Sequence, residues 1–570
     1  MARNRALLVV VFVVLVLGAY ASWLNHQFYL HQAPFFDSAP YVNYLARVIG
    51  ITQSTGASEG WSVALTDKTT PLPGLEALLL AMLHVPISSM RQLGVWLQVI
   101  WLLAFAVSLH RYWTGARGAG PWTGAILTLP FLAFAAVFKF NGGLPDFRLD
   151  FSLYTLLSTS AVWYLYTYFT ESRVPWLLGG VFLILSILSR AIAPAYAAVM
   201  IGPVLFARLA AAPPGQRRRL AQGAGWMLLP AGLVVLPYFI FNFNYLYFYY
   251  VQQNADANAN LPFRIGVAHL TFAAQHLGPA VGAAAFAFFL VVLLRHIGVL
   301  RERGLASLHD FDWKLLYMGF APALFLVLRG AGLNPFLSMP AVFGVVAFLL
   351  APLKTQLVEL RSRSNKAAAV LVVAACLWNA ARAPGQVAYP ETHIQAIRQG
   401  IEWMREDSLR RKLLKVDFVT LHNWNFQVQF VRNVLINEYG YREVRPSMLS
   451  PEGVTWMRQH VWDYNRLEGF DIPFNATVPL IWDKVVEGTG DAQKIEWLLS
   501  EARNEIDYVF IPDEATIDFM EKYISHNFIN TKVRAIRKRF LESGEWKKIG
   551  TPLAITDFER VELYARRLQP

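Results

Sequence analysis

Three aspartates, Asp37, Asp146 and Asp150, flank apolar runs in a stretch that is otherwise poor in acids. The first 383 residues hold 12 acidic side chains against 26 basic ones, so a carboxylate there stands out. A positioned carboxylate can take a proton from an attacking hydroxyl. Asp37 lies between Pro34-Phe35-Phe36 and Ser38-Ala39-Pro40-Tyr41, in N-cap-like company, and helix capping competes with chemistry for it. Asp146 and Asp150 are four residues apart around Arg148. They would share a face if a helix began as early as Pro145. An Asp-Arg-Asp cluster that caps a helix and pairs internally is the plain account. Ionisable groups at membrane depth, however, tend to mark functional cavities.

Basic residues supply the opposite charge. Arg148, Arg190, Arg264 and Arg329 stand singly near the ends of apolar runs, with Lys68 and Lys139 in neighbouring loops. Arginine grips phosphate with two parallel hydrogen bonds, so these positions suit a phosphate bound between helices. Interfacial snorkelling is the competing account for any one of them.

These residues are positioned by a membrane framework. Of the 570 residues 55% are hydrophobic, 14% aromatic and 16% charged, against about a quarter charged in a soluble domain. Eleven apolar runs approach or reach the length that crosses a bilayer as helix: Ala6–Trp23, Leu93–Leu109, Trp122–Phe138, Phe151–Phe169, Val174–Leu188, Ala191–Ala207, Gly223–Phe241, Pro279–Leu294, Trp313–Leu328, Pro335–Ala351 and Ala367–Ala381. The first could alternatively be a cleaved signal peptide ending near Ala19-Tyr20-Ala21. Arginines and lysines gather at one set of ends, from Arg3 and Arg5 through Arg111, Arg117, Arg173, Arg208 and Arg217–Arg219 to Lys314 and Lys366. The positive-inside trend makes those ends and the N-terminus cytoplasmic. Asp37, Glu59, Asp67, Glu76, Asp146, Asp150 and Asp256 then face outward. The net charge of +12 is thus anchoring charge in the apolar two-thirds, and nucleic acid is not an expected partner. A single cysteine, Cys376, excludes an intrachain disulfide framework and a multi-cysteine metal site.

The first outer loop, residues 24–92, is too long for a simple connector. It contains helical runs at Tyr41–Ile49 and Leu75–His84, separated by a Gly/Ser/Thr-rich turn, and both read as helices in the interface plane. The aromatic and amide-rich stretch from Phe241 to Asn260 reads mainly as interfacial belt. Residues 384–570 carry 25 basic and 27 acidic side chains and read as a separate soluble α/β domain on the outer face. Its strands are Val416–Leu421, Tyr508–Ile511 and an edge strand Val561–Ala565. Its helices are Ile394–Leu414, Asn425–Glu438, Ala492–Arg503, Ala515–Tyr523 and Lys532–Leu541. The basic face Lys532, Arg534, Arg537, Lys538 and Arg539 reads as solvated surface, and His422, Trp424 and Trp462 as packing more than glycan contacts.

The order of these features resembles that of the GT-C superfold of integral-membrane glycosyltransferases, such as protein O-mannosyltransferases, the lipid A aminoarabinose transferase and arabinofuranosyltransferases. The resemblance covers about Ala6 to Phe206: an acid near the start of a long first outer loop with two helices, then acids just before the fourth span. It extends more weakly to an outer C-terminal domain after the last span. It implies a polytopic α-helical membrane protein, GT-C-like over residues 1–383, that transfers a sugar from a polyprenyl-phosphate-linked donor to a glycan, glycolipid or protein acceptor. By the resemblance Asp37 is the base or positions the acceptor, and the second-loop acid is Asp150 or Asp146. Arg148, Arg190, Arg264, Arg329 or Lys68 would meet the donor phosphate. Many members carry paired acids in the first loop, whereas Ser38 follows Asp37 here, so no metal or other cofactor is expected. A ligase or polymerase using a polyprenyl-diphosphate donor is a close variant. A transporter or flippase of a lipid-linked sugar is the main alternative, although no inverted repeat is visible. A non-catalytic envelope assembly protein would tolerate the loss of both Asp37 and Asp150.

Overall fold

The computed structural model describes residues 2–26, 38–66, 71–85, 90–137, 144, 149–241, 243, 301, 314–315, 317–319, 321–322, 325, 374, 392–413, 416–420, 431, 434, 445–448, 474–478, 506–523, 534, 537–538, 540–555 and 560–567. The chain divides into two compact units. One comprises Met1–Asn25, Ser62–Glu76 and Arg91–Val387; the other comprises His26–Trp61, Ala77–Met90 and Ala388–Pro570. In chain order the first helices are α1 (Ala2–Leu24), α2 (Ser38–Thr55), α3 (Ala57–Thr66), α4 (Pro71–Met82), α5 (Met90–Arg111), α6 (Pro121–Val137), α7 (Leu149–Tyr166), α8 (Val174–Ser189), α9 (Ala193–Ala211) and α10 (Pro214–Phe241).

Among the described residues, four helical stretches are long and apolar enough to cross a membrane: Asn4–Leu24, Gln92–Ala116, Ala193–Ala211 and Pro214–Ile240. Helices α6, α7 and α8 occupy three further expected spans, at 17, 18 and 16 residues. The expected spans Pro279–Leu294 and Pro335–Ala351 lie outside the described residues, as do half of Trp313–Leu328 and almost all of Ala367–Ala381.

Helix α7 is the centre of the helical unit. Its apolar side chains Phe151, Leu153, Leu156, Leu157 and Tyr164 are buried, and so are Ser152, Thr155, Thr159 and Ser160. A helix buried on all sides needs its hydroxyls satisfied internally. Thr159 donates to the Thr155 carbonyl at 2.7 Å, and Ser160 reaches across to the Gly179 carbonyl of α8 at 2.7 Å. Glycines then let helices close up, as is common between membrane helices. A Cβ on Gly180 would stand 2.7 Å from the Met227 carbonyl oxygen of α10, and one on Gly223 would overlap the Trp176 ring. Aromatic residues at the C-terminal end of α7 gather the basic side chains. Arg117 lies over Tyr112 and Phe169, Arg208 and Lys314 over Tyr168, and Arg173 over Trp226.

The first long loop differs from its sequence reading. The segment expected to be a turn is helix α3, separated from α2 only at Gly56, whose φ of 108° a side chain would resist. Packing explains the extra helix, because Gly60 of α3 sits directly on Thr52, with Leu78 close by. Helix α4 begins at Pro71 rather than Leu75, with proline in the first turn where it lacks no needed donor.

The second unit holds a six-stranded mixed sheet. Its strands are β1 (Val416–Thr420), β2 (Arg445–Met448), β3 (Phe474–Val478), β4 (Tyr508–Pro512), β5 (Trp546–Ala554) and β6 (Arg560–Arg566), in the order β2-β3-β1-β4-β6-β5. The first four are parallel, and β6 and β5 run antiparallel. Strand β4 is buried throughout, as a continuous apolar run should be in a parallel sheet. The sequence places β6 at the edge; it is interior, because β5 pairs outside it. Helix α11 (Thr392–Arg410) packs on this sheet through Gly400, which faces Phe510 and Leu553. At Gly550, with φ of 65°, β5 bends around the Trp403 ring, and its register with β6 shifts between Ile549 and Leu553. Helix α12 (Glu514–Tyr523) follows β4. The basic face is only partly solvated: Arg537 is 9% exposed and bound to Glu562 and Glu514, and Arg534 pairs with Glu514 and Asp518. His422, Trp424 and Trp462 lie outside the described residues.

Candidate functional site

Two side-chain-to-backbone hydrogen bonds fix how α7 and α8 lie together. Ser160 donates to the Gly179 carbonyl and Ser186 to the Leu153 carbonyl, the latter at 3.4 Å. The partners step seven residues in opposite directions along the two helices, which therefore run antiparallel in one register. Extending that register by one turn sets the backbone of Asp150 level with Ser189 and Arg190. The sequence separates these two residues by 40 positions, and the helix pair brings them to one end of the bundle.

Local structure suits both charges. Asp150 is the second residue of α7, where the helix dipole favours an anion. Arg190 terminates α8 in an extended conformation (φ −156°, ψ 130°), at the pole that favours a cation. Its N–H still donates to the Ser186 carbonyl at 3.2 Å, and its carbonyl accepts from Ala193 at 3.0 Å, so the turn into α9 is fixed from both sides. The Arg190 side chain is buried, only 9% exposed, unlike an arginine that snorkels to open water.

One turn along the same face of α7 from Asp150 stands Tyr154. Its hydroxyl donates to that of Tyr196 in α9 at 3.2 Å, with the rings edge-to-face at 5.5 Å. Phe325 packs on Tyr196 at 5.4 Å. This buried tyrosine pair was missed in the sequence. The signal was the i, i+4 spacing of Asp150 and Tyr154 in a helix with few other polar groups of that size.

A second feature concerns Glu76, one of the seven acids expected to face outward. It accepts a hydrogen bond from the Trp101 indole N–H at 3.0 Å. Trp101 lies eleven residues into α5, about 16 Å along its axis. The start of α4 therefore packs beside the middle of α5. Pro71, Leu72, Pro73 and Gly74 are all buried there, and the Trp101 indole gives the Glu76 carboxylate a partner.

Helix α2 begins at Ser38, immediately after Asp37. Asp37 itself, Lys68, Asp146, Arg148, Arg264 and Arg329 lie outside the described residues, as does Lys139. Among the described residues no group of three or more His, Cys, Asp or Glu is placed to hold a metal ion.

The structure is similar to those of two glycosyltransferases. The first is the arabinofuranosyltransferase AftD from Mycobacteria, at 13% identity and a TM-score of 0.46, over 98% of this chain and 40% of that one. The second is the archaeal oligosaccharyltransferase AglB from Archaeoglobus fulgidus, solved with an inhibitory peptide and a dolichol-phosphate, at 12% identity and a TM-score of 0.46, over 96% of this chain and 72% of that one. The chain thus spans well under half the length of AftD. No protein-family model and no curated protein sequence matches it. Likeness at these identities does not bear on this chain's own substrate, which has to be argued from its residues.

Proposed function

We propose that the chain is a membrane glycosyltransferase that moves a sugar from a polyprenyl-phosphate-linked donor to an acceptor hydroxyl at the outer face of the plasma (inner) membrane. The observation that carries the reading is the α7–α8 register, which sets the backbones of Asp150 and the buried Arg190 level at one end of the pair. An acidic and a basic residue at one end of an apolar helix pair suit a substrate with hydroxyls and a phosphate. In the proposed reaction Asp37 takes the proton of the acceptor hydroxyl as its oxygen attacks the anomeric carbon. The bond from that carbon to the phosphate oxygen breaks, and the lipid phosphate leaves with the electron pair and with inversion at the sugar. Arg190 meets the charge that grows on the leaving phosphate, and Asp150, with Asp146 as its neighbour, orients sugar or acceptor hydroxyls. Arg148, Arg264, Arg329 and Lys68 remain further phosphate contacts. A phosphate is already a good leaving group, so the scheme calls for no metal.

The test is sugar transfer by the purified full-length protein in lipid vesicles, supplied with a panel of polyprenyl-phosphate pentoses and hexoses. Asp37→Asn should insert and fold normally yet lose about 10²–10⁴-fold in rate, as expected for removal of a general base. Arg190→Gln should lose about 10²–10³-fold through the developing charge. Undiminished transfer by Asp37→Asn would overturn the assignment of the base. Undiminished transfer by Arg190→Gln would remove the phosphate role.

A further inference from the structure

At the end of the helical unit opposite Asp150 and Arg190, a cavity of about 640 Å³ opens between the C-terminal parts of α7 and α9, the start of α10 and the segment around Lys314. Its wall is apolar, formed by Pro203, Val204, Ala207, Ala211 and Leu220 among others. Two cations are set into this wall around one aromatic ring. The Arg208 guanidinium lies 3.7 Å from the centroid of Tyr168, and the Lys314 ammonium lies 4.6 Å from the same centroid. Arg208 is held in place by donating to the Thr167 hydroxyl at 2.7 Å and the Thr167 carbonyl at 2.9 Å. A guanidinium carries five N–H groups, more than these two bonds take up. No carboxylate is among the described residues of the lining; Glu171, nearby in sequence, pairs instead with Arg219 at 3.2 Å.

We infer that this cavity binds the phosphodiester headgroup of an anionic glycerophospholipid, with Arg208 and Lys314 on the phosphate and the upper acyl chain against Val204, Ala207 and Leu220. The charge sets the headgroup: two cations with no carboxylate among the described lining residues favour an anion, and a fixed guanidinium can grip phosphate with paired bonds. The apolar wall selects a lipid over a free anion, because inorganic phosphate would leave that surface unfilled. The location agrees. Arg117, Arg173, Arg208 and Lys314 rest on aromatic rings at this same end of the bundle, and basic pockets between membrane helices on the positively charged side are where anionic headgroups bind. The site lies at the opposite end of α7 from the proposed donor contacts and does not depend on the sugar-transfer reading.

The test is native mass spectrometry of the full-length protein released from nanodiscs of equal phosphatidylglycerol and phosphatidylcholine with identical acyl chains. The wild type should retain at least one phosphatidylglycerol in about tenfold preference. Arg208→Gln with Lys314→Gln should abolish the preference, and Lys314→Gln alone should reduce it severalfold, without disturbing the Arg208–Thr167 bonds. Arg218→Gln, a change at an exposed position outside the lining, should leave the preference unchanged. Equal retention of both lipids by the wild type, or full preference in the double variant, would overturn the inference. So would loss of the retained lipid to millimolar inorganic phosphate, which would mark a site for the free anion.

Discussion

The most closely determined perturbation is Glu562→Gln in the sheet unit. Glu562 of β6 and Arg537 are each 9% exposed and meet at 2.7 Å. Lys548 of β5 reaches the other carboxylate oxygen at 2.5 Å, and the Tyr564 hydroxyl donates at 2.9 Å. Burial alone would raise the carboxyl's pKa, yet the bonds from Lys548, Arg537 and Tyr564 outweigh it and hold Glu562 below the ordinary carboxylate value. Removing one partner of a buried ion pair costs about 3–5 kcal/mol, since the other charge stays behind. Arg537 keeps a 3.1 Å contact with the half-exposed Glu514, so the lower end, about 3 kcal/mol, is expected. At about 1.4 kcal/mol per decade, amide hydrogens of β4, β5 and β6 should exchange roughly 100-fold faster in Glu562→Gln. The pH response gives a second reading. A depressed folded pKa means that the unfolded chain binds more protons in the window below about 4.5, so the contribution is present above that value and is lost as pH falls through the folded pKa. Wild-type protection should therefore fall with acid in that window more steeply than that of Glu562→Gln. Exchange accelerated less than about threefold, or parallel acid profiles, would refute the reasoning.

Two other substitutions probe the helical unit. Gly180→Ala puts a methyl group 2.7 Å from the Met227 carbonyl, and forcing α8 from α10 should cost about 1–3 kcal/mol, read as a lower Tm in detergent. Gly202→Ala meets nothing within 4 Å and should be far milder. Glu76→Gln keeps an acceptor for the Trp101 indole, whereas Glu76→Leu strands that N–H and should cost about 1–3 kcal/mol more. Equal melting of the two Glu76 variants would show that the hydrogen bond is not the reason for the placement of α4.

The elements legible in the sequence are those whose pattern follows from local burial. The buried run Tyr508–Ile511 reads as a strand because it is apolar on both faces, and α5 and α10 read as membrane helices from length and apolarity alone. Strands β2 and β3 escaped notice because Arg445–Met448 and Phe474–Val478 are short and mix polar with apolar residues; only their parallel partners make them strands. Strand β5 carries Lys547 and Lys548 and bends at Gly550, so neither alternation nor an unbroken apolar run marks it. Helix α3 was hidden by Gly56 and Gly60, which read as turn residues. One makes the break, and the other is there to let helices touch.

The candidate site shows the same division between charge and register. Asp150 and Arg190 are each conspicuous as lone charges among apolar residues, but nothing in their spacing says that they fall at the same level of a helix pair. What joins them is Ser160 against Gly179 and Ser186 against Leu153, hydroxyls that look like ordinary small residues in membrane helices. These bonds set α8 antiparallel to α7 in one register; Gly179 leaves room beside Ser160 of α7, and Gly180 lets α10 close on α8. The placement of Asp150 and Arg190 at one end of the helix pair is thus a consequence of small residues in its middle. A bulky side chain at Gly180, ten residues from Arg190, should force α8 away from α10 and displace Arg190 without touching it.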